Sequence, residues 1–210
     1  MKKAILTLLI SWLYVGQISA QEQPETLFNG ELSLSKIGFM INPGFQGTRI
    51  AGSNAGFALF RGGIVFNEKL TIGGFYGDMI NNVRHASFDN LLPSAAHLDA
   101  YQAGGFIEYT FNASKLVHFT FPLAIGMTEV EIDDEGRGFD YEENKTLFVE
   151  PGAQIEVNLH RFARLHAGLG YRILGGTIEE SLGVPSPDNS LTFNIGLKMG
   201  LFNLKHLKNQ

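Results

Sequence analysis

Cysteine is absent from the 210-residue chain. That excludes disulfide scaffolds, thiol nucleophiles, Cys-ligated zinc and a lipidated N-terminal cysteine. Positive charge is scarce, with 16 Lys and Arg against 21 Asp and Glu. No basic cluster could neutralise a run of phosphates, so nucleic acid is not an expected partner. Beyond residue 20 no apolar run approaches the ~18–20 residues of a transmembrane helix. Tryptophan occurs once, at Trp12.

What is present begins with a targeting segment. Met1-Lys2-Lys3 is basic, Ala4 to Val15 is apolar, and Ile18-Ser19-Ala20 supplies small residues before Gln21. This is the three-part pattern of a Sec signal peptide. Residues 1–20 therefore read as a leader and 21–30 as a short periplasmic segment. Residues 31–202 read as one domain, and 203–210 as a polar tail. Losing Lys2 and Lys3 with the leader moves the formal charge from -5 to about -7.

The rest of the chain alternates with period two. In 163–174, Ala163, Leu165, Ala167, Leu169, Tyr171 and Ile173 face one way, and Arg164, His166, Gly168, Gly170 and Arg172 the other. Residues 190–202 and 145–159 repeat the pattern. Segments near 54–66, 70–79, 99–111 and 118–130 follow it, and 31–42 does so less cleanly, switching phase in a way that either a bulge near Ser35-Lys36 or a late strand start would reconcile. Short connections are expected at 67–69, 112–117 and 160–162. Long ones are expected at 43–53, 80–98, 131–144 and 179–189. Eight strands with alternating short and long connections predict an all-β, antiparallel, up-and-down transmembrane barrel. Pro122 and Pro151 fall inside expected strands, which predicts bulges or nearer strand ends there.

Volume decides which face points inward. The lumen of an eight-stranded barrel is only wide enough to be filled by side chains. About five large apolar residues per strand cannot fit inside it. The opposite face can, because glycine is plentiful there: the chain has 25, about 12% against a usual ~7%. The apolar face is therefore expected to meet lipid. Phe66, Phe111, Phe119 and Phe162 near the short turns, and Tyr76, Tyr101 and Tyr171 near the long loops, predict two interfacial girdles.

In the last strand Asn194, Gly196, Met199 and Leu201 fit the spacing of an outer-membrane assembly signal: polar, any, Gly, two of any kind, apolar, any, apolar. With the alternation over 31–202, the chain resembles the small eight-stranded bacterial outer-membrane β-barrels, the group that contains the transmembrane domain of outer-membrane protein A. The leader followed by Gln21-Glu22 is similar to what Bacteroidota export. The resemblance implies a monomer in the bacterial outer membrane. Its implied partners are outer-membrane lipid, lipopolysaccharide and the barrel assembly machinery, with no cofactor and no metal.

The polar face predicts a lumen network of Arg61, Glu108, Glu150, Glu156, Arg164, His166, Arg172 and Lys198. If 160–162 is a three-residue loop with Leu159 opposite Ala163, then Glu150 faces Arg172, Glu156 faces His166 and Asn158 faces Arg164. Such a network either closes the lumen or forms a proton-sensitive path through His166 and His118. Chemistry is thin elsewhere. His85-Ala86-Ser87 is similar to the His-x-Ser pair of outer-membrane lipid A deacylases, but no well-placed acid completes a triad. Glu131, Asp133, Asp134, Glu135, Asp140, Glu142 and Glu143 form an acidic loop without EF-hand spacing. Arg49, Arg84 and Lys145 could touch lipid phosphates. The expected function is a closed structural or surface-interaction barrel. A narrow pore for small polar solutes is the alternative, and a lipid A hydrolase a remote one.

Overall fold

Period-two alternation needs a surface with two unlike sides, and a closed sheet supplies lipid on one side and a narrow lumen on the other. The computed structural model describes residues 37–50, 52–83, 96–133, 143–179 and 187–202. The strands are β1 (Ile37–Ile50), β2 (Ser53–Phe66), β3 (Leu70–Met79), β4 (His97–Phe111), β5 (Val117–Asp133), β6 (Glu143–His160), β7 (Ala163–Glu179) and β8 (Ser190–Leu201). Each pairs antiparallel with its chain neighbours, and β8 returns to β1 to close the barrel. Closure leaves no unpaired sheet edge, the condition for β-structure in a bilayer.

The orientation is unambiguous. Leu165, Leu169 and Ile195 are 42%, 61% and 41% exposed, whereas Arg164 and Arg172 are 5% and 3% exposed. Apolar side chains line the outer wall and charges the inside. Tyr76 stacks on Tyr101 towards the long-loop end, and Phe111 meets Phe121 edge-on towards the short turns. These rings sit where the two girdles were expected.

The first hairpin corrects the sequence reading. Residues 43–53 were expected as a long loop, yet β1 pairs with β2 without a break from Ile37 opposite Phe66 to Ile50 opposite Ser53. Gly52, at φ 76°, turns the chain, and its N–H donates to Asp188 Oδ2 at 3.0 Å. The cause is the lumen side of β1. There Asn42, Gly44, Gln46 and Thr48 supply the small and polar residues a narrow interior admits, and those are also the residues of turns. Residues 31–36, with the Ser35-Lys36 step where a bulge was one of two expectations, lie outside the described residues.

Three prolines show how a strand tolerates a missing N–H. Pro43 pairs with Phe60 on β2, while the ladder to β8 skips the step between Ile41 and Gly44. Pro122 pairs with Glu108, while the β5–β6 ladder skips from Thr120 to Leu123. Pro151 pairs with Leu123, while the β6–β7 ladder skips from Val149 to Gly152. The register is unchanged across each gap. No bulge or strand end occurs at Pro122 or Pro151, contrary to expectation; each proline interrupts the ladder over two residue pairs, and on one side only.

Bulges occur elsewhere. Ala163 pairs with His160 rather than Leu159, and a register shift after Asn158 restores Asn158 opposite Arg164. Arg161 and Phe162 alone then make the turn. At the other end β5, β6 and β7 reach 17, 18 and 17 residues, beyond the ~9–11 needed to cross a bilayer. Glu131 to Asp133 and Glu143 to Asn144, expected in a loop, continue the ladder past the apolar belt.

The interior is filled in layers. At the long-loop end Ile50, Phe57, Val83, Leu98, Val130 and Ile132 form an apolar cluster. A second cluster, with Met40, Leu59, Phe75, Phe106 and Phe148, runs from the middle towards Phe202 near the short turns. Paired glycines make room for one of its rings. A Cβ on Gly104 or Gly126 would lie 2.9 Å from Phe75 Cζ, and 2.3 or 2.4 Å from the carbonyl oxygen of Ile125 or Ala103.

Candidate functional site

Between the apolar layers lie two polar ones, built from the small-residue face of the strands. In the upper layer Arg172 Nε and Nη2 donate to Glu150 Oε2 at 3.0 and 2.8 Å. Glu150 Oε1 accepts from Gln46 Nε2 at 2.9 Å and from Thr192 Oγ1 at 3.0 Å. Gln46 Oε1 accepts from Arg172 Nη2 at 2.9 Å and Gln102 Nε2 at 2.8 Å, and Arg172 also donates to Gln102. Asn194 Oδ1 accepts from Gln46 at 3.0 Å and Arg61 Nη2 at 3.3 Å. This layer braces β1, β2, β4, β6, β7 and β8 against one another. The Arg172 guanidinium lies 4.1 Å from the centre of the Phe148 ring, which joins it to the apolar layer by a cation–π contact.

In the lower layer the Lys198 ammonium sits between the carboxylates of Glu108 and Glu156. Glu156 Oε2 also meets His118 Nε2 at 3.0 Å, and Arg164 Nη1 at 3.8 Å. The carbonyl of Lys115 lies 3.2 Å from His118 Nδ1, so two acceptors flank that ring. His166 Nε2 pairs with Asn42 Oδ1 at 3.0 Å. The Arg164 guanidinium covers the Phe202 ring at 3.8 Å, near the short-turn mouth. Buried charges of both signs thus face one another, as interior ions must. Arg61 Nη1, Glu108 Oε2, Gln154 Oε1, Arg164 Nε and His166 Nδ1 have no hydrogen-bond partner among the described residues. Ordered water commonly meets such groups in a polar interior.

All eight residues of the expected network lie inside the barrel and buried, but not in one cluster. Arg61, Glu150 and Arg172 belong to the upper layer. Glu108, Glu156, Arg164 and Lys198 belong to the lower, with His166 beside them. Glu156 lies opposite His166 in the β6–β7 ladder, yet it bonds instead to His118, opposite it in the β5–β6 ladder, and past β7 to Lys198 on β8. The Asn158 amide turns to the carbonyls of Ala113 and Lys115, at 3.1 and 2.7 Å, rather than to Arg164. Gln46, Gln102 and Thr192 were missed. Gln46 fell in the segment read as a loop, and uncharged polar residues on an inward face give no signal of their own.

Of the assembly-signal residues, Asn194 belongs to the upper layer, while Gly196 faces His166 Nε2 and Asn42 Oδ1, which a Cβ would approach to 2.6 and 2.7 Å. Met199 and Leu201 are half-buried on the outer face. His85, Ser87, Arg84 and the acidic stretch from Asp134 to Glu142 lie outside the described residues. Lys145 approaches Glu129 at 3.4 Å, and Glu129 also accepts from the Tyr101 hydroxyl. Among the described residues, no group of three His, Asp or Glu side chains is placed to hold a metal ion.

No protein-family model and no curated protein matches the sequence. Solved structures do. The chain is similar to Neisserial surface protein A, with a TM-score of 0.55, 14% identity, and coverage of 79% of this chain and 97% of that one. The fold is that of the small outer-membrane β-barrels. The chain is also similar to the attachment invasion locus protein Ail of Yersinia pestis, at TM-score 0.49 and 14% identity over 79% of this chain and 97% of that one, and to OprG of Pseudomonas aeruginosa, at 0.48 and 10% over 79% and 96%. Identities this low speak for the fold alone. That fold and the apolar outer belt are those of a barrel that crosses a bilayer with its strands, in agreement with the location expected from the sequence.

Proposed function

We propose that this protein is a closed outer-membrane barrel. Its lumen is structural, and its long-loop end meets lipopolysaccharide and extracellular ligands. The observation that carries the reading is the upper polar layer, in which Arg172, Glu150, Gln46 and Gln102 bond across the lumen beneath an apolar cap containing Phe57, Leu98 and Ile132. A path for polar solutes would need a continuous wet channel; here a charged cross-brace and a dry layer lie in series. The barrel acts as a monomer, and Asn194, Gly196, Met199 and Leu201 on β8 serve as the recognition strand for the barrel assembly machinery.

Planar-bilayer recording tests the closed lumen. The folded protein is expected to give no discrete openings in potassium chloride; regular unitary steps would replace this reading with the narrow pore. No catalysis is part of the proposal. Lipid A from cells expressing Ser87→Ala is therefore expected to carry the same acyl chains as lipid A from cells expressing the wild type. A change seen by mass spectrometry would reinstate the hydrolase.

A further inference from the structure

The outer wall carries a groove of about 550 Å³ towards the long-loop end, where β1 meets β8. Its lining includes Phe45, Leu169, Leu191 and Phe193, with Gly47 and Arg49 on β1 and the polar Asn54 and Asn81 on its β2 side. Two features of the sheet create it. Gly47 and Gly56 are paired and both face outward, so neither adds a side chain; Gly56 is covered by the Phe45 ring and Asn81, and Gly47 is left open beside them. The β1–β8 ladder also ends at Gly47 opposite Phe193, whereas β1–β2 continues to Ile50 and β7–β8 to Ser190. The strands part above that point. On the lumen side the gap stays shut, because the Thr48 and Ser190 hydroxyls bond at 2.8 Å. The groove is blind.

A dent in this position has demanding surroundings. Its walls belong to the lipid-facing belt, with Leu169 61% and Leu191 69% exposed, so its natural filling is an acyl chain rather than water. The β1–β8 pairing stops at its head, so main-chain groups of both strands lie beside the groove there. Arg49, exposed at the same height and opposite Asn54 in the ladder, adds a cation suited to a phosphate. An occupant must therefore combine an acyl chain, ester or amide groups, and a phosphate within one molecule at the outer-leaflet interface.

We infer that this groove binds one acyl chain of phosphorylated lipid A, with Arg49 taking a glucosamine phosphate and the parted ends of β1 and β8 meeting the acyl linkage. The inference rests on the reading that the long-loop end faces the cell exterior, and it names the place on the barrel where that surface is engaged.

Glycine makes it testable. A Cβ at Gly47 would meet only Phe45 Cε1, at 3.7 Å, so Gly47→Leu can fill the groove with little disturbance of the backbone. Gly62, which faces lipid away from the groove and whose Cβ would meet nothing within 4 Å, gives the control Gly62→Leu. Native mass spectrometry of the folded barrel in detergent, titrated with bis-phosphorylated lipid A or with phosphatidylglycerol, reads the result. One lipid A per wild-type barrel is expected, with tenfold or greater weakening in Gly47→Leu, about threefold to tenfold in Arg49→Gln, and no change in Gly62→Leu. Equal binding by Gly47→Leu and the wild type overturns the site. Equal weakening by Gly62→Leu, or phosphatidylglycerol binding as well as lipid A, overturns it too. Should Gly47→Leu not fold, Arg49→Gln and the lipid comparison decide alone, and undiminished binding by Arg49→Gln is then fatal. Binding in detergent does not depend on whether the lumen conducts, so openings in planar bilayers would end the closed-barrel reading and leave this result standing.

Discussion

Replacing Lys198 by methionine is expected to destabilise the barrel by about 3–5 kcal/mol, the usual cost of removing one partner from a buried ion pair. Lys198 is 1% exposed and lies between Glu108 and Glu156, themselves 1% and 0% exposed. The two carboxylates would not suffer equally. Glu156 keeps His118 and Arg164. Glu108 loses the bond to its Oε1, and its Oε2 has no partner among the described residues. The damage should therefore concentrate at Glu108, and adding Glu108→Gln to Lys198→Met should recover much of it. Glu108→Gln alone should be mild, since Lys198 retains Glu156. The expected order of stability is wild type, Glu108→Gln, the double variant, then Lys198→Met. Urea titration of protein folded into vesicles, read by circular dichroism or by the gel shift of the folded band, would show it. Tryptophan fluorescence is unsuited, because the one tryptophan, Trp12, precedes the first strand in the sequence. If Lys198→Met unfolds at the wild-type urea concentration, the triad carries no stability.

Why that triad was only half legible follows from what a ladder encodes. Alternation in 163–174 and 190–202 assigns Arg164, His166, Arg172 and Lys198 to the inner face, and the hairpin between β6 and β7 sets which residues lie side by side. Even so, the turn at Arg161-Phe162 is one residue tighter than expected, and the bulge after Asn158 cancels the error deeper in the strand. Bonds that cross the lumen have no such signature. Lys198 on β8 reaches Glu108 on β4, 90 residues away, and only barrel closure and side-chain length bring them together. The inward phenylalanines were hidden for a related reason. Phe57, Phe75, Phe106 and Phe148 share their face with glycines and charged residues, and an aromatic there reads as an irregularity until the paired glycines opposite show that it fits. In β1 the misreading ran the other way, because Pro43, Gly44 and Gly47 carry turn chemistry in a strand whose neighbours supply the pairing.

Phe148 is where the polar and apolar layers meet, and Phe148→Ala is expected to cost about 3–5 kcal/mol through the cavity it leaves. The ring is 1% exposed, 6.1 Å from Phe75 between centroids, and under the Arg172 guanidinium. Two losses are therefore superposed: apolar packing and the face on which a buried cation rests, the latter worth up to about 2 kcal/mol when desolvated. Phe148→Leu separates them. Leucine restores most of the packing and none of the π face, so it should recover more than half of the stability lost in alanine. The remainder should shrink when Arg172 and Glu150 are both made neutral, as Arg172→Met with Glu150→Gln, because the ring then has no cation to support. A double-mutant cycle on urea midpoints measures this coupling. If Phe148→Leu costs the same with the ion pair present or absent, Arg172 is held by Glu150, Gln46 and Gln102 alone. The layers would then be independent stacks rather than one braced interior.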